Sequence, residues 1–316
     1  MKADEKAIGK IERNGSLVKS ENIAETSSEG NGKGGNGVLV SVASGKGGTG
    51  KTTVAVNMAL SIEGSVQLLD CDVEEPNDYI FLNPLIDEVR PVCVPVPKID
   101  EKLCDYCGKC AKFCAFNAIA IVGRRAMVFQ EICHSCGGCL LVCPRKAITE
   151  QDKIVGEVRA GKARHIEFVY GMLNVGEPMP GPVIREVKKE IKRNRNVIID
   201  SPPGTSCPVV ESVYGSDYCL LVTEPTPFGL HDLKLMVQTL KELGLRFGVV
   251  INRAGFGDKK VYEYCRIEHI PILLEIPFER RIAELYSRGV PFVCEMPEWK
   301  ESFRSLFASV KEVIEK

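Results

Sequence analysis

The sequence predicts an α/β fold with a doubly wound parallel sheet, and three observations predict it. An apolar run at 38–43 is followed by a glycine-rich loop and a helix-like segment at 53–60. Short apolar runs then alternate with helix-like segments in the second half of the chain. Between these two regions lies a cysteine-rich stretch with a different pattern. Alternating strand and helix signals are typical of parallel sheets, so the cysteine-rich stretch is expected to be an insertion.

The glycine-rich loop is the first element with a chemical signature. Its residues are Gly45, Lys46, Gly47, Gly48, Thr49, Gly50, Lys51, Thr52 and Thr53. A strand, a glycine loop, Lys-Thr and a helix form the context of a phosphate-binding P-loop. Glycines let backbone N–H groups converge on phosphate oxygens, and the helix N-terminus adds partial positive charge. We expect Lys51 to reach the β- and γ-phosphates and Thr52 to ligate Mg²⁺.

Two later strands end in acidic residues. The run 66–69 ends at Asp70-Cys71-Asp72, and the run 197–199 ends at Asp200. Carboxylates at the carboxyl ends of parallel strands lie beside the nucleotide in open α/β sheets. Asp72 is therefore predicted to orient the attacking water, and Asp200 to hold the Mg²⁺ shell. The remaining predicted strands are 165–170, 218–223, 247–251 and 272–276, and the predicted helices include 183–192 and 229–243.

The cysteine-rich stretch contains an internal repeat with the spacing Cys-x2-Cys-x2-Cys-x3-Cys. The first run is Cys104, Cys107, Cys110 and Cys114, and the second is Cys133, Cys136, Cys139 and Cys143. In this spacing three thiolates of one run ligate a cubane and the fourth crosses to the other cluster. One [4Fe–4S] cluster is thus predicted on Cys104, Cys107, Cys110 and Cys143, and the other on Cys133, Cys136, Cys139 and Cys114. Zinc would leave the crossed spacing unexplained.

These signals divide the chain into three parts. Residues 38–95 and 153–316 are expected to form the P-loop domain, and 96–152 a small inserted α+β di-cluster domain. Residues 1–37 are rich in glycine and lack aromatic residues, which favours a disordered extension. The prolines at 84–97 suggest a connection that is extended at best.

Composition restricts the partners and the compartment. Lys and Arg number 41 and Asp and Glu number 42, so no nucleic-acid partner is indicated. No apolar run approaches the roughly 18 residues that a membrane span needs. The fourteen cysteines are mostly in regular clusters, which favours metal over disulfides. A cytoplasmic location is expected.

The loop residues Lys46–Thr52 resemble the deviant Walker A motif of the MinD/Mrp/nitrogenase-iron-protein class of P-loop ATPases. The resemblance implies that Lys46 reaches across a dimer to the partner's nucleotide, the partner being a second copy or a paralogue. It places Asp72 at switch I and Asp200 at Walker B, and it matches Asn252 to an asparagine that recognises adenine, hence ATP. With the inserted bacterial-type ferredoxin motif, the chain resembles MinD-superfamily ATPases that carry a ferredoxin domain.

Two departures from that class concern a further cluster. Mrp-type carriers hold a bridging cluster with a C-terminal Cys-x-x-Cys, where this chain has only Cys294. The nitrogenase iron protein uses two cysteines per subunit, and Cys207 occupies a place similar to one of them. No cysteine is present at 178–185 to match the other. Cys207 is therefore either a switch-loop thiol, which we favour, or a cluster ligand.

Three functions follow from these features. The main hypothesis is an ATPase, with Lys46, Lys51 and Asp72 as catalytic residues, that couples nucleotide state to electron transfer through two [4Fe–4S] clusters. The alternative is an ATPase for cluster assembly or delivery to a partner protein. A MinD-like membrane-positioning ATPase would need a basic amphipathic C-terminal helix. The apolar stripe at 299–314 has balanced charges instead, so we interpret it as a closing helix that packs on the sheet.

Overall fold

The computed structural model describes residues 37–316, so the predicted disordered extension at 1–37 lies, apart from Gly37, outside the described residues. The strands are Leu39–Ala43 (β1), Val66–Asp70 (β2), Leu85–Ile99 (β3), Ile119–Val122 (β4), Arg125–Val128 (β5), Ile148–Ala163 (β6), Ile166–Leu173 (β7), Asn196–Asp200 (β8), Tyr218–Thr223 (β9), Phe247–Ala254 (β10) and Ile272–Pro277 (β11). The helices are Lys51–Ser61 (α1), Asp78–Leu82 (α2), Lys109–Phe113 (α3), Gly138–Leu141 (α4), Gly181–Lys188 (α5), Cys207–Val213 (α6), Pro227–Glu242 (α7), Lys260–Ile267 (α8), Arg280–Ser287 (α9), Phe292–Glu295 (α10) and Glu298–Glu315 (α11).

Nine strands of the described chain form one sheet in the order β11-β10-β9-β1-β8-β2-β7-β6-β3. From β11 to β7 every neighbouring pair is parallel, which confirms the predicted parallel sheet. The buried strands β1, β2, β8 and β9 are nearly continuous apolar runs because helices cover both faces. Their carboxyl ends therefore meet at one edge, where the P-loop lies.

The proline-rich stretch after β2 is more regular than the prolines suggest. They indicate a connection that is extended at best, but the structure shows a 15-residue strand, β3. It pairs antiparallel with β6 from Leu85 opposite Lys162 to Ile99 opposite Ile148. Pro91, Pro95 and Pro97 are tolerated because β3 is an edge strand, where a missing N–H costs no ladder bond. Since β6 also pairs with β7, the sheet continues directly into the cysteine-rich segment.

That segment, 100–147, contains α3, α4 and the antiparallel hairpin β4–β5. Its small core is made of Cys110, Ile119 and Cys139, which pack with Ile148, the first residue of β6. A core of this size buries little apolar surface.

The main sheet is covered on both faces. On one face, α1, α10 and α11 bury a cluster that includes Val54, Met58 and Phe303. On the other, α5 to α8 bury two clusters around residues such as Ile184 and Met236. The C-terminal helix α11 packs on α1 and β11, as the apolar stripe suggested. None of the helices in the described part of the chain combines the length and apolar character needed to cross a bilayer.

Candidate functional site

The P-loop connects β1 to α1 at the carboxyl edge of the sheet. Gly50 precedes α1 with φ 96°, and a Cβ there would meet Asn252 Nδ2 at 2.3 Å, so only glycine fits. Lys51 and Thr52 are buried at the start of α1. The Thr52 hydroxyl donates to Asp200 Oδ2 over 2.6 Å. The two residues predicted to bind Mg²⁺ are thus in contact, although they are far apart in sequence.

Beside this contact lies a cluster of buried carboxylates. Oxygens of Asp70, Asp78 and Asp200 lie within 4.8 Å of one another. Asp70 accepts backbone N–H bonds from Asp72, Asn77 and Asp78. Within the described residues, neither oxygen of Asp78 has a hydrogen-bond partner, and Asp200 Oδ1 has none either. Sequence reasoning noted Asp70 at the end of a strand but gave it no role. It missed Asp78, whose only signal was an acid at the first residue of α2.

The electrostatics of these carboxylates favour a cation. Burial, and then the charges of its carboxylate neighbours, raise the pKa of Asp78 well above its usual range. Burial also raises the pKa of Asp200, against the opposing charge of Lys51. A divalent cation would bind the carboxylate oxygens that have no hydrogen-bond partner and would reduce the repulsion between the carboxylates. These oxygen donors therefore fit Mg²⁺.

Asp72, the predicted water-orienting residue, is partly exposed at the rim of this cluster. Burial raises its pKa to about 6, and Lys51 opposes that rise. A carboxylate with a pKa near neutrality suits a group that orients water and exchanges protons.

Lys46, the first of the two lysines in the loop, forms an ion pair within its own chain. Lys46 Nζ lies 3.8 Å from Glu224 Oε2, and Glu224 also pairs with Arg253 at 2.7 Å. To reach a partner's nucleotide, as the resemblance implies, Lys46 must leave Glu224. The lysine is a third exposed, so water can replace that contact at small cost.

A cavity of about 830 Å³ adjoins the P-loop and is lined by Gly48, Gly50, Thr53, Asn252, Phe278 and Tyr286 among others. Asn252, predicted to recognise adenine, donates from Nδ2 to the Thr49 carbonyl over 2.8 Å. Its Oδ1 accepts the Arg253 N–H. Asn252 therefore braces the P-loop as well as lining the cavity, a contact that the sequence did not predict.

The eight clustered cysteines converge in two separate cavities. One, of about 340 Å³, is lined by Cys104, Cys107, Cys110 and Cys143. The other, of about 430 Å³, is lined by Cys114, Cys133, Cys136 and Cys139. These are the two crossed sets that the spacing predicts as ligands.

The surroundings of the cysteines suit sulfur-ligated metal. Backbone N–H groups of Ala118 and Ala147 lie 3.3 Å from the sulfurs of Cys114 and Cys143, and donate to them. Burial raises the pKa of Cys139 to about 11, and the neighbouring Cys133 adds to the rise. Without a metal such thiols would be protonated at neutral pH, whereas a bound cluster would hold them as thiolates.

Comparison with known proteins agrees with this architecture. The family description "CobQ/CobB/MinD/ParA nucleotide binding domain" matches residues 40–292. The chain belongs to this family of P-loop nucleotide-binding proteins.

Its relatives include proteins whose names mention iron–sulfur clusters. An uncharacterized protein of Methanocaldococcus jannaschii is 32% identical over 263 residues, covering 81% of this chain and 91% of its own. An iron–sulfur cluster carrier protein of the same organism is 24% identical, covering 87% of this chain and 83% of its own. In solved structures, the septum site-determining protein MinD of Pyrococcus horikoshii, complexed with Mg-ADP, matches with a TM-score of 0.53 and 21% identity. That match covers 87% of this chain and 95% of the other, and it shows the fold.

Proposed function

We propose that this chain is an ATP-hydrolysing protein that assembles or delivers iron–sulfur clusters and holds two [4Fe–4S] clusters of its own. The observation that carries the proposal is the joining, in one continuous sheet, of a P-loop site to two four-cysteine cavities. The names of the cluster-carrier relatives favour delivery over the electron-transfer hypothesis.

Each residue of the proposed nucleotide site has a separate role. Lys51 and the backbone N–H groups of the loop bind the phosphates, and Thr52 with Asp200 holds the Mg²⁺ shell. Asp72 orients the attacking water, and Asn252 borders the cavity that receives adenine. Mg²⁺ would neutralise the charge that develops on the γ-phosphate during transfer.

The proposed resident clusters lie in the segment 96–152, which we treat as an inserted domain on the P-loop domain of 38–95 and 153–316. The crossed ligand sets place Cys114 and Cys143 at the ends of α3 and α4, so each helix contributes to both cavities. Each cluster then ties the two helices together, which suits permanent cofactors better than transferable ones.

A second candidate is the electron-transfer function predicted from the sequence. The eight-cysteine arrangement favours it, because two neighbouring cubanes are an electron-transfer device whatever the ATPase does. Both candidates require a partner protein, and both are compatible with a dimer in which Lys46 acts across the interface.

One experiment tests the proposal and separates the two candidates. Anaerobically purified protein should contain about eight irons and eight sulfides per chain. It is then loaded anaerobically with iron and sulfide beyond those eight, freed of excess, and incubated with MgATP and the apo form of a [4Fe–4S] enzyme, and iron, sulfide and enzyme activity are followed together. Transfer of iron and sulfide that requires ATP supports delivery. In a parallel sample whose clusters are first reduced with dithionite and freed of excess, ATP-dependent reduction of an added redox protein without metal transfer supports electron transfer. Stoichiometric zinc in place of iron contradicts both candidates.

A further inference from the structure

Six cysteines lie outside the two four-cysteine sets, and they fall into two groups. Cys71, Cys219 and Cys265 are buried, as packed core thiols would be. Cys93, Cys207 and Cys294 are exposed. Cys93 and Cys207 line the same open cavity, with about 1430 Å³ of empty space, although they come from β3 and from the start of α6. Two free thiols from distant parts of the chain therefore face one space.

This cavity, which we name the Cys93–Cys207 cavity, lies between the cysteine-rich segment and the nucleotide-binding part. His134 and Pro95 line both it and the cavity of Cys114, Cys133, Cys136 and Cys139. Cys93 is two residues from Pro95, so alternation along β3 places both on the same face of the strand. The pairing of β3 with β6 shifts register between Val92 and Cys93, which indicates a β-bulge. Such bulges change the direction in which nearby side chains point.

The cavity contains several donors softer than a carboxylate. Besides the two thiols, Met179 and His134 line it, together with Arg185, Glu186 and Glu211, and residues 178–182 supply an apolar wall. Thiolate, thioether and imidazole ligands select iron–sulfur units and soft metals over Mg²⁺ or Ca²⁺.

We infer that the Cys93–Cys207 cavity receives an iron–sulfur cluster in transit, with Cys93 and Cys207 as its protein ligands. The inference rests on the proposed function in cluster delivery, and it assigns to Cys207 the cluster-ligand role instead of the switch-loop role that the sequence favours. Each thiol loses its proton to solvent as its sulfur bonds to iron, and the bonds from iron to the donor's thiolates break. The iron oxidation states do not change. Two protein thiolates leave coordination positions of a cubane for the donor or acceptor, which suits a group that must be released.

The position of Cys207 connects the cavity to the nucleotide. The loop 201–206 runs from the Mg²⁺ residue Asp200 to Cys207, and its Gly204 N–H donates to the Ser44 carbonyl beside the P-loop over 3.0 Å. Lys188, at the end of α5, donates to the carbonyls of Glu211, Ser212 and Tyr214. Helix α6 is thereby fixed to α5, whose first residues line the cavity. A shift of this loop on γ-phosphate loss would therefore move α6 and α5 together, and Cys207 with them, relative to Cys93 on β3.

The test uses the full chain with its resident clusters, purified anaerobically. Ferrous and ferric iron in equal amounts are added with sulfide and dithiothreitol, excess is removed, and iron per chain is measured. Wild type should gain about four irons above the resident eight, as expected for one further cubane. Cys93→Ser and Cys207→Ser should each lose most of this gain. Cys294→Ser, another exposed cysteine away from the cavity, should keep it.

Alkylation provides a second readout that does not depend on cluster transfer. Loading should protect Cys93 and Cys207 of wild type from iodoacetamide, as mapped by mass spectrometry, and leave Cys294 reactive. Equal iron gain in all variants, or unchanged alkylation of Cys93 and Cys207 on loading, would overturn the inference. If the resident eight irons and ATP hydrolysis are intact in that case, the proposed function survives. If wild type lacks the resident irons, the proposed function fails first.

Discussion

At the scale of single residues, Lys51 and Asp72 allow nucleotide binding to be separated from hydrolysis. Lys51→Ala should lose both, because the phosphate clamp is removed. Asp72→Asn should keep ATP affinity and lose turnover, because an amide orients water poorly and takes up no proton. Since the pKa of Asp72 is raised to about 6, wild-type turnover should fall as pH drops below about 6.

The measurement for this pair is ATP affinity and steady-state hydrolysis from pH 5 to 8. Wild-type turnover should fall at acid pH, and the residual turnover of Asp72→Asn should not show this fall. An equal loss of ATP affinity in Lys51→Ala and Asp72→Asn would contradict the separate duties.

Asp78 offers a test of the metal-site electrostatics. Its folded-state pKa is raised above 3.8, so the stability it contributes is present at low pH and is lost as pH rises. At pH 7.5, nucleotide-free Asp78→Asn should therefore be more stable than wild type, by on the order of 1–3 kcal/mol, since an amide N–H can donate to the unpartnered Asp200 oxygen.

Denaturant unfolding at several pH values checks this expectation. The advantage of Asp78→Asn should shrink as pH falls, because wild-type Asp78 then takes up a proton. Mg²⁺ with nucleotide should stabilise wild type more than the variant. A variant less stable than wild type at every pH would show that Asp78 is not a strained, unpaired acid.

At the scale of elements, α11 is a core helix, so truncating a side chain of its buried apolar stripe should lower the free energy of unfolding. Phe303 is 0% exposed and packs against Phe292. Phe303→Ala should lower the free energy of unfolding by about 3–5 kcal/mol. Val313→Ala on the same helix, where the side chain is 39% exposed, should change it by no more than about 0.5 kcal/mol. Equal, small effects in urea titrations would mean that α11 is not part of the core.

The elements also show which features sequence reasoning could reach. The parallel strands were predictable because continuous apolar runs mark strands buried on both faces. The convergence of the eight cysteines in two crossed sets was predictable because the spacing rule behind it is local in sequence. The pairing of β3 with β6 was not predictable. Its prolines argue against a strand, and its partner strand follows only after the whole inserted segment. The place of Asp78 in the acidic cluster and the bracing of the P-loop by Asn252 were missed for a related reason. Both arise only when distant strand ends meet at one edge.

At the scale of the whole molecule, the predicted trans role of Lys46 makes assembly a condition of activity. Lys46→Ala should bind ATP as a monomer, yet neither dimerise nor hydrolyse it. Glu224→Gln is the matched variant, because it releases Lys46 from its contact within the chain and should leave ATP-dependent dimerisation intact. Light scattering with MgATP and turnover at several protein concentrations give the answer. Full activity in Lys46→Ala, or activity per chain independent of concentration, would refute the shared site.

The last prediction concerns coupling between the nucleotide and the cysteine-rich segment. A continuous set of backbone bonds joins them. The carbonyl of Val73, next to Asp72, accepts the Leu173 N–H at the end of β7 over 2.8 Å. The N–H of Asn174, the next residue, donates to Val155 of β6 over 2.9 Å. Strands β6 and β3 then lead into the segment that carries the eight cysteines.

A change at switch I on γ-phosphate loss should therefore reach the clusters, and linkage requires that a shift of the cysteine-rich segment alters nucleotide affinity by the same factor. We expect the rate of iron chelation, and the cluster potentials in redox titrations followed by electron paramagnetic resonance, to differ between the ADP and ATP states. Lys51→Ala, which cannot clamp the phosphates, should show no such difference. Identical rates and potentials in wild type would mean that the backbone path transmits no strain and that the proposed clusters are not coupled to the nucleotide.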